Sequence, residues 1–226
     1  NMTVKLLSYS QPTKEFANSG IVDAQELIAY CARVSNPSNQ LNTETSEKLI
    51  NYLVKHAHWS PLEMVSACVE IETTRDIARQ ILRHRSFAFQ EFSQRYADAT
   101  QLGEFAIREC RMQDNKNRQN SLATDDFDLT IWWAAAQARM IGEAEFLYSE
   151  ALKRGIAKEQ ARALLPEGLT PSKLYVNGTM RSWITFLQAR LDPSTQKEHR
   201  LVAQDVLAVL RGVAPVTVSA FFGEQQ

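Results

Sequence analysis

A chain of 226 residues in which 44% are hydrophobic and 23% charged has material for one substantial core. Its 25 Lys+Arg stand against 26 Asp+Glu, a formal net charge of -1, which excludes a protein drawn to nucleic acid or to an anionic membrane by general basicity. Any anion it binds has to be met by a local cluster. Cys31, Cys68 and Cys110 form no CxxC pair and read as reduced thiols of a cytoplasmic protein. The glycines make neither GxGxxG nor GxxxxGK(S/T), so Rossmann and P-loop nucleotide sites are set aside.

In chain order, residues 4–9 predict a strand too short to be a secretory signal, and Asn1, ahead of Met2, is expected to be foreign to the natural chain. A helix over 23–33 sets Leu27, Ile28 and Cys31 on one face and runs into the polar turn "ARVSNPSNQ". A second helix over 46–56 carries Leu49, Ile50 and Leu53 and ends at "HAHWSPLE". Residues 64–73 alternate Val65, Ala67, Val69 and Ile71 against Ser66, Cys68, Glu70 and Glu72, the period of a strand buried on one face. Thr74 is placed to cap the next helix, which buries Ile77, Ala78, Ile81 and Leu82 and repeats Arg75, Arg79 and Arg83 on another face.

Residues 97–124, with "DNKNRQNS" at 114–121, predict an irregular excursion too polar for the core. A long helix over 125–153 follows, acidic at its start, basic at its end and stopped by Gly155. A short helix over 158–165, a strand over 174–176, a helix over 179–190 and a last major helix over 199–211 complete the pattern. The apolar stretches at 131–136 and 202–210 are broken by Gln137, Arg139, Gln204 and Asp205, so no membrane span is expected. Strands and helices do not alternate in βα units, which predicts an α+β fold dominated by helix, in one domain spanning 1–226.

The chemistry concentrates in "RHRSFAFQEFSQR", residues 83–95. Arg83, Arg85 and Arg95 are permanent cations whose planar forks suit phosphate and the edges of heterocycles. Phe87, Phe89 and Phe92 beside them could stack the bases of single-stranded nucleic acid, but the net charge and the lack of a second basic segment argue against that use. The order RHR, seven residues, Ser93 and then Gln94-Arg95-Tyr96 resembles the signature of the flavin-dependent thymidylate synthases. "ARVS" at 32–35, "HWSPLE" at 58–63, "QARALLP" at 160–166, "RSW" at 181–183 and Arg190 resemble further family segments in the same order, so the likeness spans roughly residues 20–205.

The resemblance implies an α+β domain with an antiparallel or mixed sheet flanked by long helices. It also implies methylation of dUMP to dTMP, with methylenetetrahydrofolate as carbon donor and NADPH as reductant through bound FAD. For dUMP it implies contacts from Gln80, Arg83, Glu91, Phe92, Ser93, Gln94 and Arg95, with Arg162 reaching in from a neighbouring subunit of a homotetramer. Arg190 is implied as the catalytic residue, held against the N3/O4 edge of uracil so that negative charge there is stabilised.

For FAD the resemblance implies Ser35, His58, Ser60, Glu63, Arg83, His84, Arg85, Glu91, Thr179, Arg181 and Thr185. Ala88, Gln90, Thr179 and Thr185 depart from the commonest family residues at their positions. Nothing beside Ser93 in sequence would activate it, so it reads as a binding residue, and no cysteine nucleophile is expected. His56 and His58 lack a third ligand at any standard spacing, and no metal is predicted.

Overall fold

The computed structural model describes residues 2–225, so Asn1 lies outside the described residues. Strand β1 (Thr3–Tyr9) is followed by helices α1 (Lys14–Asn18), α2 (Ala24–Ala32) and α3 (Ser46–Lys55). Then come β2 (Ser66–Thr74), α4 (Arg75–Ile81), β3 (Ala88–Glu91), the small strands β4 (Arg111–Gln113) and β5 (Ser121–Ala123), and α5 (Phe127–Lys153). The chain continues through α6 (Lys158–Ala161), β6 (Pro171–Thr179), α7 (Met180–Arg190), α8 (Lys197–Val213) and α9 (Pro215–Phe222).

The main sheet has the order β1-β2-β6-β3, and every pairing in it is antiparallel, which resolves the expected choice between antiparallel and mixed. The alternation read in β2 is real: Ala67, Val69 and Ile71 are buried while Ser66, Cys68, Glu70 and Glu72 are only partly covered. Each fully buried aliphatic side chain of this kind contributes roughly 1.5 to 3 kcal/mol. In α8 the stripe His199, Val202, Ala203, Val206, Leu210 and Val213 faces the same core, a helical repeat headed by a histidine. Trp183 on α7 is fully buried and donates its indole N–H to the Ala67 carbonyl at 3.0 Å, which docks α7 on β2.

Several expectations are corrected. The strand expected at 174–176 is the nine-residue central strand β6, because Ser172, Leu174 and Val176 alternate inward while polar residues between them hide the pattern. Thr179 ends that strand and caps α7, accepting the Ser182 N–H. The 97–124 excursion contributes Ala99 and Phe105 to buried positions and folds into the β4–β5 hairpin, with the polar 114–121 run near its tip. Thr74 occupies the cap position of α4 without capping it, since its hydroxyl donates to Asp76 at 2.6 Å instead. Arg83 lies beyond the end of α4 and leaves the row formed by Arg75 and Arg79. Helices α1 and α9 and strand β3 were not expected. Among the described residues no helix is long and apolar enough to cross a membrane, and no group of His, Cys, Asp or Glu could hold a metal ion.

Candidate active site

Helix α4 delivers two different rows of side chains. Arg75 and Arg79 face β3, where both engage Glu91 Oε1, Arg75 at 3.3 Å. Glu167 lies 3.9 Å from each of the two arginines. The backbone fastens this side as well, because the Arg75 and Asp76 N–H groups donate to the carbonyls of Thr170 and Glu167. Arg162, just upstream, contributes a further positive charge beside Arg75. Glu91 Oε2 is buried there with no partner.

Gln80 belongs to the other row. Its amide meets Gln196 at 2.8 Å and the His199 ring at 3.0 Å, both at the start of α8. Past the helix end, Arg83 and Arg85 are exposed while His84 turns inward against Phe186, ring centroids 5.0 Å apart. Arg190, the last residue of α7, donates its Nε–H to His84 Nε2 at 2.9 Å. Accepting there requires that His84 be neutral and carry its proton on Nδ1. Burial first, and the Arg190 charge second, hold its pKa down at about 4. Burial, followed by the neighbouring Arg83, also lowers the pKa of Arg190. With Nε committed, the two terminal nitrogens of Arg190 have no hydrogen-bond partner among the described residues.

Phe87 fixes this turn to the sheet. Its ring lies 4.5 Å from Trp183 and 6.3 Å from His84, and it fills the space over Gly178, where a β-carbon would fall 2.3 Å from the ring. Only glycine in β6 lets the ring sit so close.

The residues expected around the flavin come partly together. Glu63 pairs with Arg181 at 3.4 Å, joining the turn that begins at Ser60 to α7. Thr185, one turn further along α7, spends its hydroxyl on the Arg181 carbonyl. His58 follows Ala57, whose left-handed φ of 56° closes α3 with the His58 N–H bonded to the Leu53 carbonyl. That turn sets His58 beside Tyr52 and His56, exposed to solvent. Ser35 is exposed in the turn held by buried Arg33, which donates to Asn42 and Thr45.

Beyond β3 the Phe92 N–H extends the ladder to the Lys173 carbonyl, Gln94 is buried, and Ser93 is exposed with no partner for its hydroxyl. Arg95 is exposed and pairs with Glu159 at 3.4 Å. The structure therefore gathers Gln80, Arg83, His84 and Arg190 into one group and Glu91 and Arg162 into another, on different rows of α4.

His199 was missed by sequence reasoning. The available signal was a histidine at the head of an apolar stripe, the position of a residue buried for a purpose.

Arg83, Arg85, Arg162 and Arg190 pair with no carboxylate among the described residues. Guanidinium groups left without a carboxylate are suited to anionic ligands and to the edges of flat heterocycles. Residues 19–216 match the family described as thymidylate synthase complementing protein. The flavin-dependent thymidylate synthase of Synechocystis is 50% identical over 205 residues, covering 89% of this chain and 91% of its own. The probable flavin-dependent thymidylate synthase of Paramecium bursaria Chlorella virus 1 is 47% identical over 198 residues, 88% of each chain. A solved structure of the UMP/dUMP methylase PolB from Streptomyces cacaoi, bound with 5-Br dUMP, has a TM-score of 0.78 at 26% identity and covers 99% of this chain and 96% of its own. The chain belongs to the flavin-dependent thymidylate synthase family.

Proposed function

We propose that this chain is a single catalytic domain that methylates dUMP to dTMP, using methylenetetrahydrofolate as carbon donor and NADPH as reductant with FAD as cofactor. The observation that carries the reading is Arg190, tethered through Nε to a neutral His84 and holding its remaining fork free. Uracil C5 is a weak nucleophile, and a guanidinium fork at the N3/O4 edge stabilises charge pushed into the ring. The tether matters because it removes the rotational freedom a lone arginine would lose on engaging the base.

The donor set fits FAD. Arg83 and Arg85 are exposed cations free of carboxylates among the described residues, suited to a pyrophosphate, and Arg181, Thr179, Thr185, Ser60, Glu63, Ser35 and His58 are the polar side chains assigned to the rest of the cofactor. FAD held by these residues would supply the redox chemistry that links NADPH to the methylene group. Glu91, Phe92, Ser93, Gln94, Arg95 and Arg162 are assigned to the nucleotide. Ser93 is a binding residue, because no base hydrogen-bonds its hydroxyl among the described residues.

The assembly is read as a homotetramer. Helix α5 supports this: Phe127, Trp132 and Phe146 stand 73%, 62% and 61% exposed, a density of bare aromatic surface that a free monomer does not keep. Light scattering is expected to return four times the 25.6 kDa chain mass. The activity is tested by incubating FAD-loaded protein anaerobically with dUMP, methylenetetrahydrofolate and NADPH. Formation of dTMP supports the assignment, and its absence overturns it.

A further inference from the structure

Gln80 hangs in a chain of polar contacts that leads away from the site to a fixed charge. Its Nε2 donates to Gln196 Oε1 at 2.8 Å, and Gln196 Nε2 donates to Glu198 Oε2 at 3.1 Å. Arg111 from β4 holds both carboxylate oxygens of Glu198, at 2.8 and 2.9 Å, and Arg108 lies 3.9 Å away. Burial pushes the Glu198 carboxyl up, but the Arg111 hydrogen bond, a backbone N–H and the two arginine charges outweigh it and leave the pKa at about 2. Glu198 is therefore ionised and only accepts.

The polarity of every later link follows. Gln196 has to turn its NH2 to Glu198, so its carbonyl oxygen faces Gln80. Gln80 has to answer with its own NH2, so its Oε1 faces His199 Nδ1 at 3.0 Å. His199 is fully buried and neutral, its pKa held at about 3 by burial first and then by Arg190 and His84. Its one ring proton must sit on Nδ1, and Nε2 is buried with no partner. An amide nitrogen carries two hydrogens, and Gln80 uses one of those on Gln196. The other has no partner among the described residues.

We infer that Glu198, acting through Gln196, and His199 together lock the Gln80 amide in one polarity, so that its spare N–H is a donor for a nucleotide oxygen. The inference rests on the reading that Gln80 touches dUMP. In the reversed polarity Gln80 would present a carbonyl oxygen and repel the same acceptor. Gln196, Glu198 and His199 are then positioning residues, which act on the ligand only through Gln80.

The test measures dUMP affinity of the FAD-loaded protein by calorimetry. His199→Leu removes the donor that pins Oε1 and is expected to weaken dUMP binding about tenfold, the size of one net hydrogen bond, while FAD affinity stays unchanged. His199→Asn, which restores an N–H near Nδ1, is expected to recover most of that loss. In a Gln80→Ala background His199→Leu should have no further effect. An equal loss in both backgrounds, or a parallel loss of FAD, overturns the inference. Gln80→Ala binding dUMP as well as wild type does would instead sink the Gln80 contact itself and the inference with it.

Should His199→Leu fail to fold, Gln196→Leu breaks the same chain from the other side and is expected to give the same tenfold loss. Nitrogen-15 NMR reads the tautomer directly: a proton on Nδ1 at neutral pH supports the lock, and a proton on Nε2 refutes it.

Discussion

Replacing Gly178 by alanine tests how rigidly the sheet holds the arginine-bearing turn. The new β-carbon would lie 2.3 Å from Phe87 Cδ1, 2.6 Å from Cε1 and 3.4 Å from Ser182 Cβ. Carbons pack at about 3.5 to 4.0 Å, so the ring has to retreat by about 1 Å. It has little room to do so, with Trp183 at 4.5 Å, Phe89 at 6.0 Å and Phe186 at 6.1 Å on its other sides. Overpacking of this kind costs about 1 to 3 kcal/mol.

In a chain of this length each kcal/mol lowers Tm by roughly 2 to 4 °C, so a fall of about 2 to 12 °C is expected in flavin-free protein. The displacement passes directly to His84, because Phe87 closes the turn that carries it, and FAD titration should show weaker binding as well. Phe87→Leu should recover part of the loss in the alanine background while costing stability in wild type. A Gly178→Ala protein melting within 1 °C of wild type, or two losses that simply add, would refute the packing argument.

Arg190→Ala should retain bound flavin and lose most turnover, since the severed contact is to the reacting ring; normal turnover in the visible-spectrum and dTMP assays would remove Arg190 from its role. Acid sensitivity follows from the two inward histidines, with folded pKa values of about 4 for His84 and about 3 for His199 against 6.5 when free. As pH falls from 6.5 toward 3 the unfolded chain takes up their protons first, so stability is full above 6.5 and drains through that window. For fully buried His199 the contribution is on the order of 5 kcal/mol. The urea midpoint should drop between pH 7 and pH 4, and His199→Leu should flatten the drop; an identical pH slope in that variant would contradict the assignment.

What the sequence made legible depended on whether a residue's role is local. Strand β2 announced itself because one face meets core and the other does not, and α5 because its ends carry the charges a helix dipole favours. Strand β6 was read at a third of its length because Lys173, Tyr175 and Asn177 sit on its polar face and only the apolar centre stood out. Strand β3 was invisible, since "AFQE" pairs only by lying against β6 and has no turn signal of its own.

The same rule divides the site. The RHR turn was readable as a dense local cluster, whereas the His84–Arg190 bond spans 106 positions and the Gln80–His199 contact 119. Periodicity carries no information about such pairs. It marked His199 only as the start of the last major helix.

The split of the nucleotide residues across α4 bears on the proposed tetramer. Successive residues on a helix point about 100° apart, so Arg79 and Gln80 address different spaces although they are neighbours in sequence. Arg79 is spent on Glu91, and Gln80 on α8. In the proposed homotetramer, a nucleotide seated against Gln80 and Arg190 of one chain would take its contacts from the Glu91 end of β3 of a neighbouring chain, as it would the proposed Arg162 contact. Glu91 Oε2 fits that proposal. Leaving a buried carboxylate oxygen unpaired costs about 1 to 3 kcal/mol, a cost that a donor arriving with a neighbouring chain's ligand would remove.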